Sequence, residues 1–212
     1  MILVCFAVKE EAGPFRKMTG GIAGIEVLVT GMGIKNAESA IRAAIENEKP
    51  KLVLTCGFAG GLRPGLESGV VVFSANRAND LEAALVWAGA RPSKFRCAQK
   101  VATTVAEKAV LWKETGADAV EMESGVVCEV CREHGIPATI VRVILDTAEE
   151  DLPLDFNELM NDRQEMSYGK LAVALVKSPG KIGALRRLQT QSQKAAEELA
   201  KVLVKVLRKP EP

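Results

Sequence analysis

Aromatic residues are scarce in this chain, at 4% of 212 residues, and neither sign of charge prevails: 28 lysines and arginines face 27 aspartates and glutamates, for a net charge of +1. So even a balance disfavours nucleic acid as a partner. The lack of aromatics, beside abundant Ala, Val, Leu and Ile, suits a sheet covered by helices better than an all-β sandwich of short strands. Cysteine is also sparse. Cys5, Cys56, Cys97, Cys128 and Cys131 are odd in number and scattered through apolar runs, which argues against a disulfide framework and for reduced thiols in a cytoplasmic protein. The apolar opening over residues 1–8 is too short to span a bilayer and lacks the basic start of a secretory signal, so it reads as a first buried strand. Internal repeats, low-complexity linkers and composition breaks are missing too, so residues 1–212 read as a single domain.

What is present alternates. A strand over 2–8 leads to a helix over 10–18, and Gly20-Gly21 turns the chain toward a strand over 26–30. Gly31-Met32-Gly33 opens a helix over 36–47, closed by Pro50, and 52–56 is the next buried strand, running into Gly57-Phe58-Ala59-Gly60-Gly61. A strand over 70–74 precedes a polar stretch over 76–93, then a short apolar piece over 95–97 and a helix over 105–115 ended by Gly116. The pieces 119–122 and 138–145 read as strands around a helix over 124–133, and the chain from Asp155 onward reads as helical. The fold class is therefore α/β.

The most informative segments are Val120-Glu121-Met122-Glu123-Ser124 and Val141-Arg142-Val143-Ile144-Leu145-Asp146. They set two carboxylates at the end of one apolar run and a third at the end of the next. Acids held at the carboxyl ends of buried strands can hold ribose hydroxyls, steady a cationic sugar and protonate a leaving base, as cleavage of a nucleoside's N-glycosidic bond requires.

Together with Ala7-Val8-Lys9-Glu10-Glu11, Thr30-Gly31-Met32-Gly33 and Gly57-Phe58-Ala59-Gly60-Gly61, these segments resemble, in order and context, the nucleoside phosphorylase and nucleosidase superfamily. The likeness is strongest to the methylthioadenosine/S-adenosylhomocysteine nucleosidases and covers roughly residues 1–156. The tail is similar to small phosphorylase-like proteins associated with hopanoid synthesis. For the fold, the likeness to the superfamily implies a three-layer sandwich with a central mixed, twisted sheet between helices. The resemblance implies that Asp146 gives a proton or hydrogen bond to N7 of a purine, which requires a protonated carboxyl whose pKa is raised by burial and neighbouring acids. It implies that Glu123 accepts from the ribose 2′ and 3′ hydroxyls, with Glu121 beside it, and that Met122 packs on the sugar face. Glu11 would orient or deprotonate the attacking water with help from Arg142. Phe58, Ala59 and Gly60 would lie along the base and anomeric carbon, and a base contact falls near Val101. No cofactor and no metal are implied, and a homodimer is.

Two readings of the chemistry follow from the same resemblance. Related phosphorylases clamp phosphate with arginines, whereas Thr55-Cys56 and Glu11 stand in those neighbourhoods here. An anion beside Glu11 would be repelled, so hydrolysis is expected and phosphorolysis is the alternative. Phe58 in place of a small hydroxyl residue, and Leu145 in place of the usual serine, keep a third reading open: a nucleoside-binding homologue that has lost turnover. The stretch between Ser74 and Asp118 is shorter than in the adenosine-derivative nucleosidases, which suits a more open pocket and a bulky 5′ substituent.

Plainer roles compete for these residues. Glu121 and Glu123 can cap a helix starting at Ser124, Asp146 can cap whatever follows Thr147, and Glu11 can belong to a solvated helix start. Cys128, Cys131 and His134 mimic a ligand run, but on one helix they fan around about 240°, too wide to converge on one ion. The basic tail over 177–209 carries an apolar stripe and reads as an amphipathic helix over 180–208 docked on the domain, with weak membrane-surface contact as its sharper alternative.

Overall fold

In β1 (Ile2–Phe6) four successive side chains are buried, and where they go defines the layers. Val4 and Phe6 join a core under α1 (Lys9–Thr19) and the long C-terminal helix α7 (Ile182–Leu207). Leu3 and Cys5 enter a separate core under α2 (Ile34–Asn47) and α5 (Ser124–Glu133). A strand buried on both faces needs a continuous apolar run, which the opening of the chain supplies. β3 (Leu52–Gly61) repeats the pattern, with Val53 in one core and Leu54 and Cys56 in the other.

The computed structural model describes residues 1–20, 22–75, 80–159, 161 and 179–208. Within them β2 (Ile25–Val29), β1, β3, β8 (Ala138–Asp146), β4 (Val71–Ala75) and β5 (Arg91–Pro92) lie in that order in one sheet. β7 (Ala119–Glu121) joins the far end of β3, and β6 (Phe95–Cys97) joins β7. β2, β1, β3 and β8 run parallel, while β4 pairs antiparallel with β8. This is the helix-covered sheet expected from the composition, mixed as the family resemblance implied.

Several boundaries differ from expectation. β1 stops at Phe6 rather than residue 8, because the amides of Ala7 and Val8 turn to a carboxylate instead of a strand. β3 runs on through the glycine segment to Gly61. The polar stretch over 76–93 contains α3 (Asp80–Trp87) and β5. α3 buries Leu85 but leaves Trp87 76% exposed, so it offers little periodicity to read. Helical structure after Asp155 is found in α6 (Phe156–Leu159) and in α7; residues 160, 162–178 and 209–212, and with them Lys177 and Lys209, lie outside the described residues.

α7 is docked as expected: Ala195, Ala196, Leu199, Ala200, Val202 and Leu203 are buried, while Arg186, Arg187, Lys194 and Lys201 stay exposed. Gln191 ties its middle to β8 by donating to the Leu145 carbonyl (2.7 Å) and to Ser68 Oγ (3.0 Å). Among the described residues no helix is long and apolar enough to cross a membrane.

Candidate active site

β3 changes partners along its length. Leu52–Cys56 pairs with β1, and Gly60 and Gly61 pair with antiparallel β7. Between them Gly57, Phe58 and Ala59 keep β8 on one edge, and among the described strands none pairs with the other. The sheet therefore forks at the carboxyl end of its central strands, the position where open α/β sheets offer a crevice.

Glu11 fills the first part of the gap. It sits in the first turn of α1, where its Oε2 accepts from the amides of Ala7 (3.0 Å) and Val8 (3.3 Å), and its Oε1 accepts from the Phe58 amide (2.8 Å). Glu11 is 5% exposed, so it does not belong to a solvated helix start; it caps the first turn of α1 and also takes the β3 amide that a neighbouring strand would have taken. Burial pushes its carboxyl up to about 7, against the pull of the Phe58 amide and Arg142. Gly57 makes the approach possible: a Cβ there would lie 2.7 Å from Glu11 Oε1 and 3.0 Å from Arg142 Nη1, at a φ of +148°. Gly57→Ala is accordingly expected to displace Glu11 and to cost both activity and stability, read as a lower melting temperature together with a slower turnover.

Arg142 on β8, in register with Gly57, is 2% exposed and lies among three acids. Its Nη2 pairs with Glu121 Oε2 at 2.6 Å, donates to Thr55 Oγ1 at 3.2 Å and lies 4.0 Å from Glu123 Oε2. Glu121 also accepts from the Glu123 amide, the Ser124 amide and Ser124 Oγ (3.1, 2.8 and 2.5 Å). Burial pushes its carboxyl up, yet Arg142 and Ser124 outweigh it and hold Glu121 below the usual range. With its oxygens this occupied, Glu121 is the countercharge of Arg142 and the anchor of α5.

Glu123 is less committed. One oxygen accepts from the Gly33 amide at 3.0 Å, at the N-terminus of α2, where a helix favours negative charge. Burial pushes its carboxyl up, with Arg142 opposing. The sequence shows Gly31-Met32-Gly33 as the opening of a helix but not Gly33 as the partner of Glu123; the residues are ninety positions apart, and no local pattern connects them.

Asp146 ends β8 alongside Gly60, three residues along β3 from Gly57 or roughly 10 Å of strand. A Cβ at Gly60 would lie 3.3 Å from Asp146 Oδ2. No helix starts at Thr147, so Asp146 caps none. Burial pushes its carboxyl up, against the attraction of Lys108. That lysine, on α4 (Val105–Thr115), was not among the residues the sequence singled out, yet its Nζ lies 2.5 Å from Asp146 Oδ2.

The remaining expected residues separate by face. Ala59 packs with Leu66, Val72, Ala119 and Ile144. Phe58 and Leu145 pack against the core beneath α1 and α7. Alternation along a strand thus turns Leu145 away from Asp146. Met122 is half-buried between the two glutamates. The backbone of Val101 is already engaged: its amide donates to Asn157 Oδ1 (2.9 Å) and its carbonyl accepts from Asn157 Nδ2 (3.0 Å). Cys131 is buried in the α2/α5 core with Cys128 packed against it, and among the described residues no group of three metal-ligating side chains gathers.

The Phosphorylase superfamily model matches residues 7–96 and 96–177. The chain is 27% identical over 177 residues to the 5′-methylthioadenosine/S-adenosylhomocysteine nucleosidase of Shewanella halifaxensis, covering 66% of this chain and 77% of that one. It is 25% identical over 196 residues to the protein of that name in Shewanella piezotolerans, covering 76% and 85%. Among solved structures it is similar to the futalosine hydrolase of Helicobacter pylori (TM-score 0.71, 18% identity, 97% and 96% of the two chains). It is also similar to the Campylobacter jejuni 5′-methylthioadenosine/S-adenosylhomocysteine nucleosidase (TM-score 0.72, 16% identity, 97% of each chain). A forked α/β sheet, acids gathered at the fork and a family match over most of its length lead to one conclusion: this chain belongs to the phosphorylase superfamily.

Proposed function

We propose that this protein hydrolyses the N-glycosidic bond of an adenosine-type purine nucleoside. In this reading water attacks the anomeric carbon while the bond from C1′ to N9 breaks and its electron pair passes into the purine. Glu11 takes the proton released by the water, and Asp146 gives a proton to N7. Glu123, with one oxygen held by Gly33 and the other turned toward Arg142, accepts from the ribose hydroxyls, and its charge steadies the oxocarbenium-like sugar. Met122 lies against the sugar, and Val101 contacts the base once Asn157 gives way.

The observation that carries the choice of water over phosphate is the commitment of Arg142. The cation beside Glu11 is already paired with Glu121 at 2.6 Å, and three carboxylates surround it. A phosphate dianion would have to displace a buried partner and then face Glu11. The nucleosidase names of the sequence relatives support the same choice. The side chains of Phe58 and Leu145, turned into the core, leave the acids unhindered and so count against loss of turnover. The reading carries with it the cytoplasmic homodimer and the bulky 5′ substituent expected from the sequence.

Adenine release from 5′-methylthioadenosine, S-adenosylhomocysteine and adenosine, followed by chromatography with and without phosphate or arsenate, tests the proposal. Release independent of both anions is expected. Strict dependence on either would mean phosphorolysis, and saturable binding without product would mean a nucleoside-binding protein.

A further inference from the structure

Lys108 is fully buried, and it is the one buried residue of α4 within a helix whose Val110 and Trp112 face outward. An ammonium in the interior is rare and is tolerated only where every donor is met. Here two donors go to carbonyls, those of Thr147 (2.7 Å) and Glu150 (2.6 Å), and the charge is met by an ion pair with Asp146 Oδ2 at 2.5 Å, a buried oxygen that accepts no hydrogen bond among the described residues. Both carbonyls belong to the turn that follows Asp146. That turn is fastened to the start of α4 a second time, by Asp151 accepting from the Val105 amide (2.6 Å), and to the preceding segment by the Leu152 amide donating to the Thr103 carbonyl (2.8 Å).

We propose that Lys108 is a positioning residue for Asp146: it holds the acid and its turn against α4, and it supplies the countercharge for the carboxylate that remains once the proton has gone to the base. The inference rests on the hydrolytic role proposed for Asp146. As the O–H bond of Asp146 breaks and the N–H bond at N7 forms, negative charge grows on a buried carboxyl. A fixed cation in contact with it stabilises that charge without rearrangement. The other groups facing Asp146 do not substitute for it. Glu150, from the turn, carries the opposite effect, and β3 and β7 present Gly60 and Val120, which do not titrate.

The sign is definite. Burial favours the protonated acid and Lys108 favours the carboxylate, so removing the cation keeps Asp146 protonated to higher pH while weakening it as a donor. In Lys108→Met the descending, high-pH limb of the rate profile is expected to move up by about one to three pH units. Turnover should fall by about tenfold or more, with KM little changed. The same displacement should appear without substrate, as the titration of the Asp146 carboxyl followed by 13C NMR and assigned by comparison with Asp146→Asn. If Lys108→Met does not fold, Lys108→Gln, which still donates to the turn but carries no charge, gives the same two readouts. An unmoved carboxyl titration in either folded variant would overturn the inference. Failure of the hydrolytic reading would show separately, as wild-type protein that releases no base while its Asp146 titration still responds to Lys108.

Discussion

Asp146→Asn is expected to slow base release by about 10²–10⁴-fold, the usual contribution of one positioned proton donor. The amide preserves shape and can still form a hydrogen bond, but it cannot leave a proton on N7. The substitution has a second effect that a solvent-facing acid would not show. At pH values where wild-type Asp146 has lost its proton, Lys108 in the variant would keep its two carbonyl partners but have no anion, leaving a buried cation uncompensated, a situation that costs about 3–5 kcal/mol. A clear fall in melting temperature should therefore accompany the loss of rate. Adding Lys108→Met should recover much of the stability and none of the activity. Initial rates and thermal melts on the three proteins separate the two effects, and an unchanged rate in Asp146→Asn would remove this residue from the chemistry.

Glu11→Gln is expected to lower the rate and to change how stability depends on pH. With its carboxyl pushed up to about 7 by burial, Glu11 becomes a base as the pH passes through neutrality, so wild-type turnover should rise across that range. Glutamine keeps the acceptor for the Phe58 amide but turns an NH2 toward the Ala7 and Val8 amides, which lose their acceptor at every pH, and it takes no proton from water, so its rate should be lower and nearly flat over the same interval. Stability follows from linkage. The folded-state value lies above the ordinary 4.5, so the folded chain holds this proton more tightly than the unfolded chain does. The associated stability is fully present below 4.5 and is lost as the pH rises through about 7. Above neutrality the wild type thus bears a cost of about 3 kcal/mol that glutamine escapes. The melting temperature of Glu11→Gln relative to wild type should therefore rise from acidic to mildly alkaline buffer, while the variant turns over more slowly. A melting difference that does not change with pH, in a variant that keeps its rate, would contradict both expectations.

The layers of the fold were readable because they depend on local pattern. A run such as 2–6 is apolar at every position, and 138–146 is rich in β-branched and apolar residues apart from Arg142 and Asp146, so each declares a strand buried on both faces. α3 was not readable, because its packing rests on few residues and its tryptophan faces outward. Among the candidate acids, Glu121 and Asp146 stand out because each ends an apolar run, where a charge is conspicuous, whereas Glu11 follows Lys9 and Glu10 and stands out only through the family resemblance. Their partners do not stand out. Gly33 reaches Glu123 across ninety positions, and Asn157 meets Val101 across fifty-six. Lys108 lies in Val105-Ala106-Glu107-Lys108, which looks like any solvated first turn. Whether a lysine there faces water or an aspartate depends on where the turn over 147–150 lands, which is a property of the tertiary fold. The bland role proposed for Glu121 proved to be a large part of what it does, because Arg142 and the start of α5 together use both of its oxygens.

The fork in β3 has a mechanical side as well. Within paired stretches, edge amides meet carbonyl oxygens, whose acceptor strength is the same at any working pH. At Phe58 the acceptor is the carboxylate of Glu11, a group that gains and loses a proton near neutrality. The seam between the β1 and β7 halves of the sheet is therefore stitched by a bond that loosens when that proton arrives, so under the proposed hydrolysis the hold on the central strand and the readiness of the attacking water would follow one ionisation.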